Sequence, residues 1–131
     1  MRFSTMMIVK AFVCLVFGIP MLLIPRLLMS LYGVTLAAGG ILMARLNGAS
    51  LLGNLMLTWF GRKVTASDAR RVIALHLTLY DSIGLVVALL ATLSGVMNVL
   101  GWSIVLIYLV IALGFGSFLA KSTTPQLTSP T

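Results

Sequence analysis

From Val99 to Ala120 the chain runs for 22 residues without a charged side chain. A helix needs about 20 mostly apolar residues to cross the hydrocarbon core of a bilayer, and this stretch meets that length with nothing to spare for a soluble use. Three more apolar stretches precede it, at about 5–24, 36–60 and 72–93. Over all 131 residues, 60% are hydrophobic and 8% charged. A soluble domain carries about 25% charged residues, so too few charges remain to cover a water-facing surface. The expected fold is all-α: one integral membrane four-helix bundle over 1–121, antiparallel and up-down in topology.

The connections follow from turn chemistry and proline. GRKVTASDARR separates the second and third segments, with Ser67 and Asp68 placed to cap the third helix. SGVMN separates the third and fourth, with Gly95 and Asn98 as turn residues. Pro20 should kink the first helix and Pro25 should end it. The following RLLMSLYG reads as a short interfacial helix at about 25–32, with Arg26 towards the headgroups. The polar, Pro-bearing 122–131 reads as a flexible C-terminal tail. Lys10 interrupts the first apolar run and no small-residue cleavage site follows, so the first segment reads as a retained helix and not a signal peptide.

Nine Lys/Arg stand against two Asp/Glu, a formal net charge of +7. In a soluble chain that balance would suggest nucleic acid; here it reads as topology and no nucleic-acid partner is expected. Arg62, Lys63, Arg70 and Arg71 share one loop, Arg2 and Lys10 lie at the N-terminal end, and Lys121 follows the fourth segment. With four crossings these regions fall on one side, and the positive-inside rule makes it the cytoplasm, with both termini in. The bacterial inner membrane is the expected location. Trp59, Trp102 and Tyr32 fall where an aromatic belt would lie.

Two charges fall near mid-depth, Arg45 in the second segment and Asp81 in the third. Each alone costs about 2.5–3.5 kcal/mol inside a bilayer, and such charges tend to pair. Stripes of small residues on both segments, Gly40-xxx-Ala44-xxx-Gly48 among them, would let the two helices approach. The spacing therefore predicts an Arg45–Asp81 ion pair, serving either to lock the register of two neighbouring helices or to hold an anionic headgroup, a quinone or a proton. Asn47, Ser50, Thr78, Tyr80, Ser82 and Tyr108 would line a small polar cleft around it. Lys10, Asn54 and His76 would form a second polar layer nearer the cytoplasm.

Catalytic and metal-binding sets are not legible. Cys14 is the single cysteine and His76 the single histidine, which leaves no disulfide, thiol redox pair, bis-histidine haem or metal set. No metal, cofactor or enzymatic activity is expected. The leading reading is a scaffold or accessory subunit of a membrane complex, holding a lipid or quinone-like molecule near the polar pair. Its partners would be the lipid bilayer and either a second copy or a larger membrane complex. The alternative is a small oligomeric transporter or pore with Asp81 as the coupling group.

Three stretches, PRLLMSLYG (25–33), MARLNGASLLGNLMLTWFGRK (43–63) and SDARRVIAL (67–75) with LSGVMNVLGWSIVLIYLVIALGFGSFL (93–119), resemble a group of small bacterial four-helix membrane proteins that is DoxX-like in layout. The resemblance implies a four-helix fold, marks Arg45 as a recurring feature, and brings no established activity beyond an accessory role beside oxidoreductase subunits. The small multidrug transporters have four helices in a similar length, but their coupling Glu lies in the first helix. Here that stretch reads AFVCLVFG, and a paired Asp81 would hold its charge and carry protons poorly.

Overall fold

A computed structural model describes residues 2–122. The tail expected at 122–131 lies, beyond Ser122, outside the described residues. The described chain is all-helical: α1 (Phe3–Leu23), α2 (Pro25–Leu31), α3 (Ala38–Gly61), α4 (Ser67–Leu93) and α5 (Gly101–Ser122). Three of these helices, α1, α4 and α5, are long and apolar enough to cross a membrane. Although α3 has 24 residues, Arg45, Asn47 and Asn54 and its glycines dilute its apolar character.

Local sequence explains the breaks. Pro20 is carried inside α1, which ends three residues later. Ile24 then leaves helical geometry, and Pro25 opens α2 at a first-turn position where its missing N–H is no loss. Gly33 and Gly95 adopt φ of +76° and +80°, a region open to glycine and strained for other residues. Ser67 and Asp68 do not cap α4 from outside. The cap position is Ala66, and Asp68 sits in the first turn, where its charge complements the helix dipole.

The helices associate as two pairs. In one, α1 packs along α3; in the other, α4 packs along α5; α1 meets α5 more sparsely. Gly48 is the closest approach in the first pair: a Cβ there would lie 2.7 Å from the Leu22 backbone nitrogen and 3.0 Å from the Gly18 carbonyl. In the second pair Gly84 makes room for the Tyr108 ring. The small-residue stripes therefore do not join α3 to α4. They serve α1–α3 and α4–α5, while nothing lies within 4 Å of a Cβ on Gly53.

An apolar cluster fills each end of the bundle. Phe3, Met6, Met7, Ala74, Leu77, Ile111 and Phe115 form one, and Tyr32, Ala88, Met97 and Val105 the other. Tyr32 is thus a core residue and leaves the expected aromatic belt, whereas Trp59 and Trp102 remain exposed. Stacking of Phe3 near Phe118 and of Met7 against Gly61 brings the start of α1 and the ends of α3 and α5 to one end of the bundle. Arg2, Arg62, Lys63, Arg70, Arg71 and Lys121 gather there. At the other end Asn98 binds the two loops together, its backbone N–H donating to the Tyr32 carbonyl at 2.9 Å and its Nδ2 to the Leu31 carbonyl at 3.0 Å.

The surface is inverted relative to a water-soluble fold. Phe12, Phe60, Leu79, Leu90 and Leu106 are exposed, while Lys10, Asn54, Thr58 and Asp81 are buried. That arrangement suits a chain surrounded by lipid, where apolar side chains face outward and polar groups turn inward.

Candidate functional site

Between the two apolar clusters lies a polar layer centred on Asp81. Its carboxylate is fully buried on α4, and its partner is Lys10 of α1, not Arg45. Among the described residues this is the only ion pair. Two geometric facts exclude Arg45. Asn54 points at α4, and Arg45, nine residues earlier, lies about 180° around the same helix at 100° per residue. The structure accordingly leaves Arg45 exposed on the outer face of α3.

Lys10 reaches Asp81 because α1 starts earlier than its apolar pattern suggests. From Phe3 to Lys10 is about two turns, so the ammonium lies deep and not in a layer near the helix end. Both α1 and α4 rise from the same end of the bundle, with α5 between them in level: Phe3 meets Phe118 and Thr78 meets Gly116. This brings residues 10 and 81 to one depth. Lys10 Nζ also lies 5.1 Å from the centre of the Tyr80 ring and 5.9 Å from that of Tyr108. The ammonium is held by a carboxylate and two aromatic rings, a combination that offsets part of its desolvation.

The other members of the expected inner layer, Asn54 and His76, do meet. His76 Nε2 lies 3.2 Å from Asn54 Oδ1, which links α3 to α4 one step along from the ion pair. Ser50 approaches Tyr80 in the next turn, so α3 and α4 face each other through a column of polar side chains. Their backbones stay apart, and that separation leaves space between the helix pairs.

Two adjoining spaces occupy it. A cavity of about 80 Å³ is lined by Lys10, Asp81, Asn47 and Tyr108 together with apolar residues such as Phe17 and Ile107. A larger crevice of about 490 Å³ shares Met21, Asn47, Ile104 and Tyr108 with it and continues past Tyr80, Gly84, Ala88 and Ala91. Exposed Ile83 and Val87 stand at its rim. Of the residues expected to line a cleft, Asn47, Tyr80 and Tyr108 come together here. Ser50 borders Tyr80, Thr78 turns towards Gly116 of α5, and Ser82 lines neither space.

Among the described residues, three buried side-chain atoms have no hydrogen-bond partner: Asp81 Oδ2, Asn54 Nδ2 and Thr78 Oγ1. Such groups are rare in native interiors, and each calls for a water or ligand atom. Asp81 Oδ2 belongs to a residue lining the cavity, which has room for a few waters or a small headgroup. Together the two spaces fall within the usual size range of small-molecule sites and share their makeup, apolar walls with a few convergent polar groups. Among the described residues no group of three or more His, Cys, Asp or Glu could hold a metal ion.

Compared with known proteins, the chain matches no family model, no curated protein and no solved structure.

Proposed function

We propose that this chain is a non-enzymatic inner-membrane protein of bacteria that holds a lipid or quinone-like molecule in the crevice between its two helix pairs. It acts as a scaffold or accessory subunit of a membrane complex, and kinship with DoxX-like proteins belongs to the same proposal. The observation that carries it is the crevice itself: apolar along its length, open beside Ile83 and Val87, and ending at a buried ion pair with one carboxylate oxygen unpartnered. An apolar tail fits the walls, and a polar head meets Asn47, Tyr108 and Asp81.

In this reading α3 crosses the membrane with α1, α4 and α5. At 1.5 Å per residue its 24 residues extend about 36 Å, more than the hydrocarbon thickness. Both termini and the loop between α3 and α4 lie in the cytoplasm, because the basic end of the bundle belongs inside. α2 lies in the opposite interface.

Native mass spectrometry of the protein extracted from its own membrane tests the proposal. The expected spectrum shows one amphipathic molecule per chain, reduced in Asn47→Leu. Chains free of any such adduct, with Asn47→Leu indistinguishable from the parent, would overturn it.

One observation favours a second reading, an oligomeric transporter or pore. Asp81 is buried beside an internal cavity with a free lone pair, as a coupling group requires. Proton flux in proteoliposomes that falls in Asp81→Asn would support this reading; a strict monomer with unchanged flux removes it.

A further inference from the structure

Arg45, freed from its expected role, lies in an unusual position. It is exposed on α3, about 10 Å from the first residue of that helix at 1.5 Å per residue. Among the described residues it has no acidic partner. A lipid-facing guanidinium at such depth needs an anion or must stretch towards the headgroup region. It shares a groove of about 440 Å³ with a second cation: Arg26, at the start of α2, also lines it, and its apolar floor is Leu23, Ile24, Pro25, Leu27 and Ile41. Arg26 also lines an adjoining groove with Ser30 and Thr35. Neither groove contains a carboxylate.

Two guanidiniums on one groove, hydroxyls on the groove beside it and an apolar floor are the complement of one ligand class. We propose that the groove between the α1–α2 break and α3 is a binding site for an anionic phospholipid. Its phosphate bridges Arg26 and Arg45, its polar headgroup extends towards Ser30 and Thr35, and an acyl chain lies over Leu23 and Ile41. Guanidinium groups suit this task because their planar forks bind phosphate oxygens in pairs. The break at Ile24–Pro25 sets the geometry: it ends α1 and starts α2, which meets α3 and carries Arg26 into the same groove as Arg45. The site rests on the membrane reading but on neither the crevice nor its occupant.

The test uses purified protein in detergent with equimolar dioleoyl phosphatidylglycerol and dioleoyl phosphatidylcholine, read by native mass spectrometry. The parent should retain the anionic lipid preferentially. Each arginine should contribute about fivefold, as expected for one cation near an anionic headgroup. Arg26→Gln with Arg45→Gln should abolish the preference, while Lys63→Gln with Arg71→Gln at the opposite end should leave it. Inorganic phosphate should not displace the lipid, since it cannot use the apolar floor.

Equal retention of both lipids by the parent overturns the proposal, as does a preference that survives in the double arginine variant. Displacement by inorganic phosphate alone overturns the lipid assignment in favour of a free-anion site. Should the double variant lose its fold, Arg26→Gln and Arg45→Gln decide singly: each should lower the preference about fivefold, and an unchanged preference in both overturns the proposal. Recovery of the chain from the soluble fraction would instead overturn the membrane reading.

Discussion

Removing either member of the Lys10–Asp81 pair should destabilise the protein far more than removing both. Each side chain is at most 2% exposed, and stranding one charge of a buried pair costs about 3–5 kcal/mol. The two halves are not equivalent. In Asp81→Leu the Lys10 ammonium still faces the Tyr80 and Tyr108 rings, each worth about 0.5–2 kcal/mol to a desolvated cation. In Lys10→Met the carboxylate loses its only hydrogen-bond partner. Its escape is protonation, which at pH 7 costs about 4 kcal/mol from an ordinary Asp value. Lys10→Met should therefore cost about 4 kcal/mol and Asp81→Leu about 3 kcal/mol. The double variant should lie within about 1 kcal/mol of the parent, because a well-packed apolar pair replaces a buried ion pair at little cost.

The assay is thermal unfolding in detergent, followed by loss of the monodisperse species, for the parent, both single variants and the double. At about 3–5 °C per kcal/mol for a chain of this size, the single variants should melt about 10–20 °C lower. The double should return most of that loss, giving a coupling energy above about 3 kcal/mol. Arg45→Leu combined with Asp81→Leu serves as control and should simply add. Additive effects at Lys10 and Asp81, or rescue of Asp81→Leu by Arg45→Leu, would refute the pairing.

Gly48→Ala should destabilise by about 1–3 kcal/mol, since its Cβ would press on the backbone of Leu22 and Gly18, which cannot yield as a side-chain end can. Gly53→Ala on the same helix meets nothing within 4 Å and should be neutral or stabilising by up to about 1 kcal/mol through helix propensity; thermal unfolding in detergent measures both. Asn98→Ala should cost about 1–3 kcal/mol, the usual worth of two hydrogen bonds, by releasing Nδ2 from the Leu31 carbonyl and removing the Oδ1 that accepts from the Leu100 N–H. Hydrogen exchange should show faster exchange at 31–34 and 96–98, and unchanged protection in both segments would contradict that role.

Much of the helical layout was legible because hydropathy and proline act locally. The apolar run after Val99, the break before Pro25 and the turn at Gly95 depend on a few neighbouring residues. Pairing between helices was not legible for the opposite reason. Depth along a hairpin of α3 and α4 matches Arg45 to Asp81, yet depth says nothing about which way a side chain points around its helix. Counting from Asn54 would have placed Arg45 on the far face, but only once Asn54 was known to face His76. The depth of Lys10 depends on the helix start: α1 begins at Phe3, two residues before the apolar pattern suggests, and Lys10 lies about two turns in.

The glycines carry the same lesson. A small-residue stripe permits close approach but does not name the partner, and here Gly48 receives α1 while Gly84 receives a tyrosine of α5. A cleft with Asn47, Tyr80 and Tyr108 in its lining was legible, but its place between two helix pairs was not. The space opens there because α3 and α4 meet through side chains, His76 on Asn54 and Tyr80 beside Ser50, and not through close backbone packing.

The central claim is that the space between the helix pairs is occupied. Filling it from one wall with Ala91→Phe, a substitution inside the crevice and remote from the Lys10–Asp81 pair, tests this most directly. Native mass spectra of parent and variant, extracted from the same membrane, should show one amphipathic molecule on the parent and little or none on Ala91→Phe. Equal occupancy of the two would contradict the account.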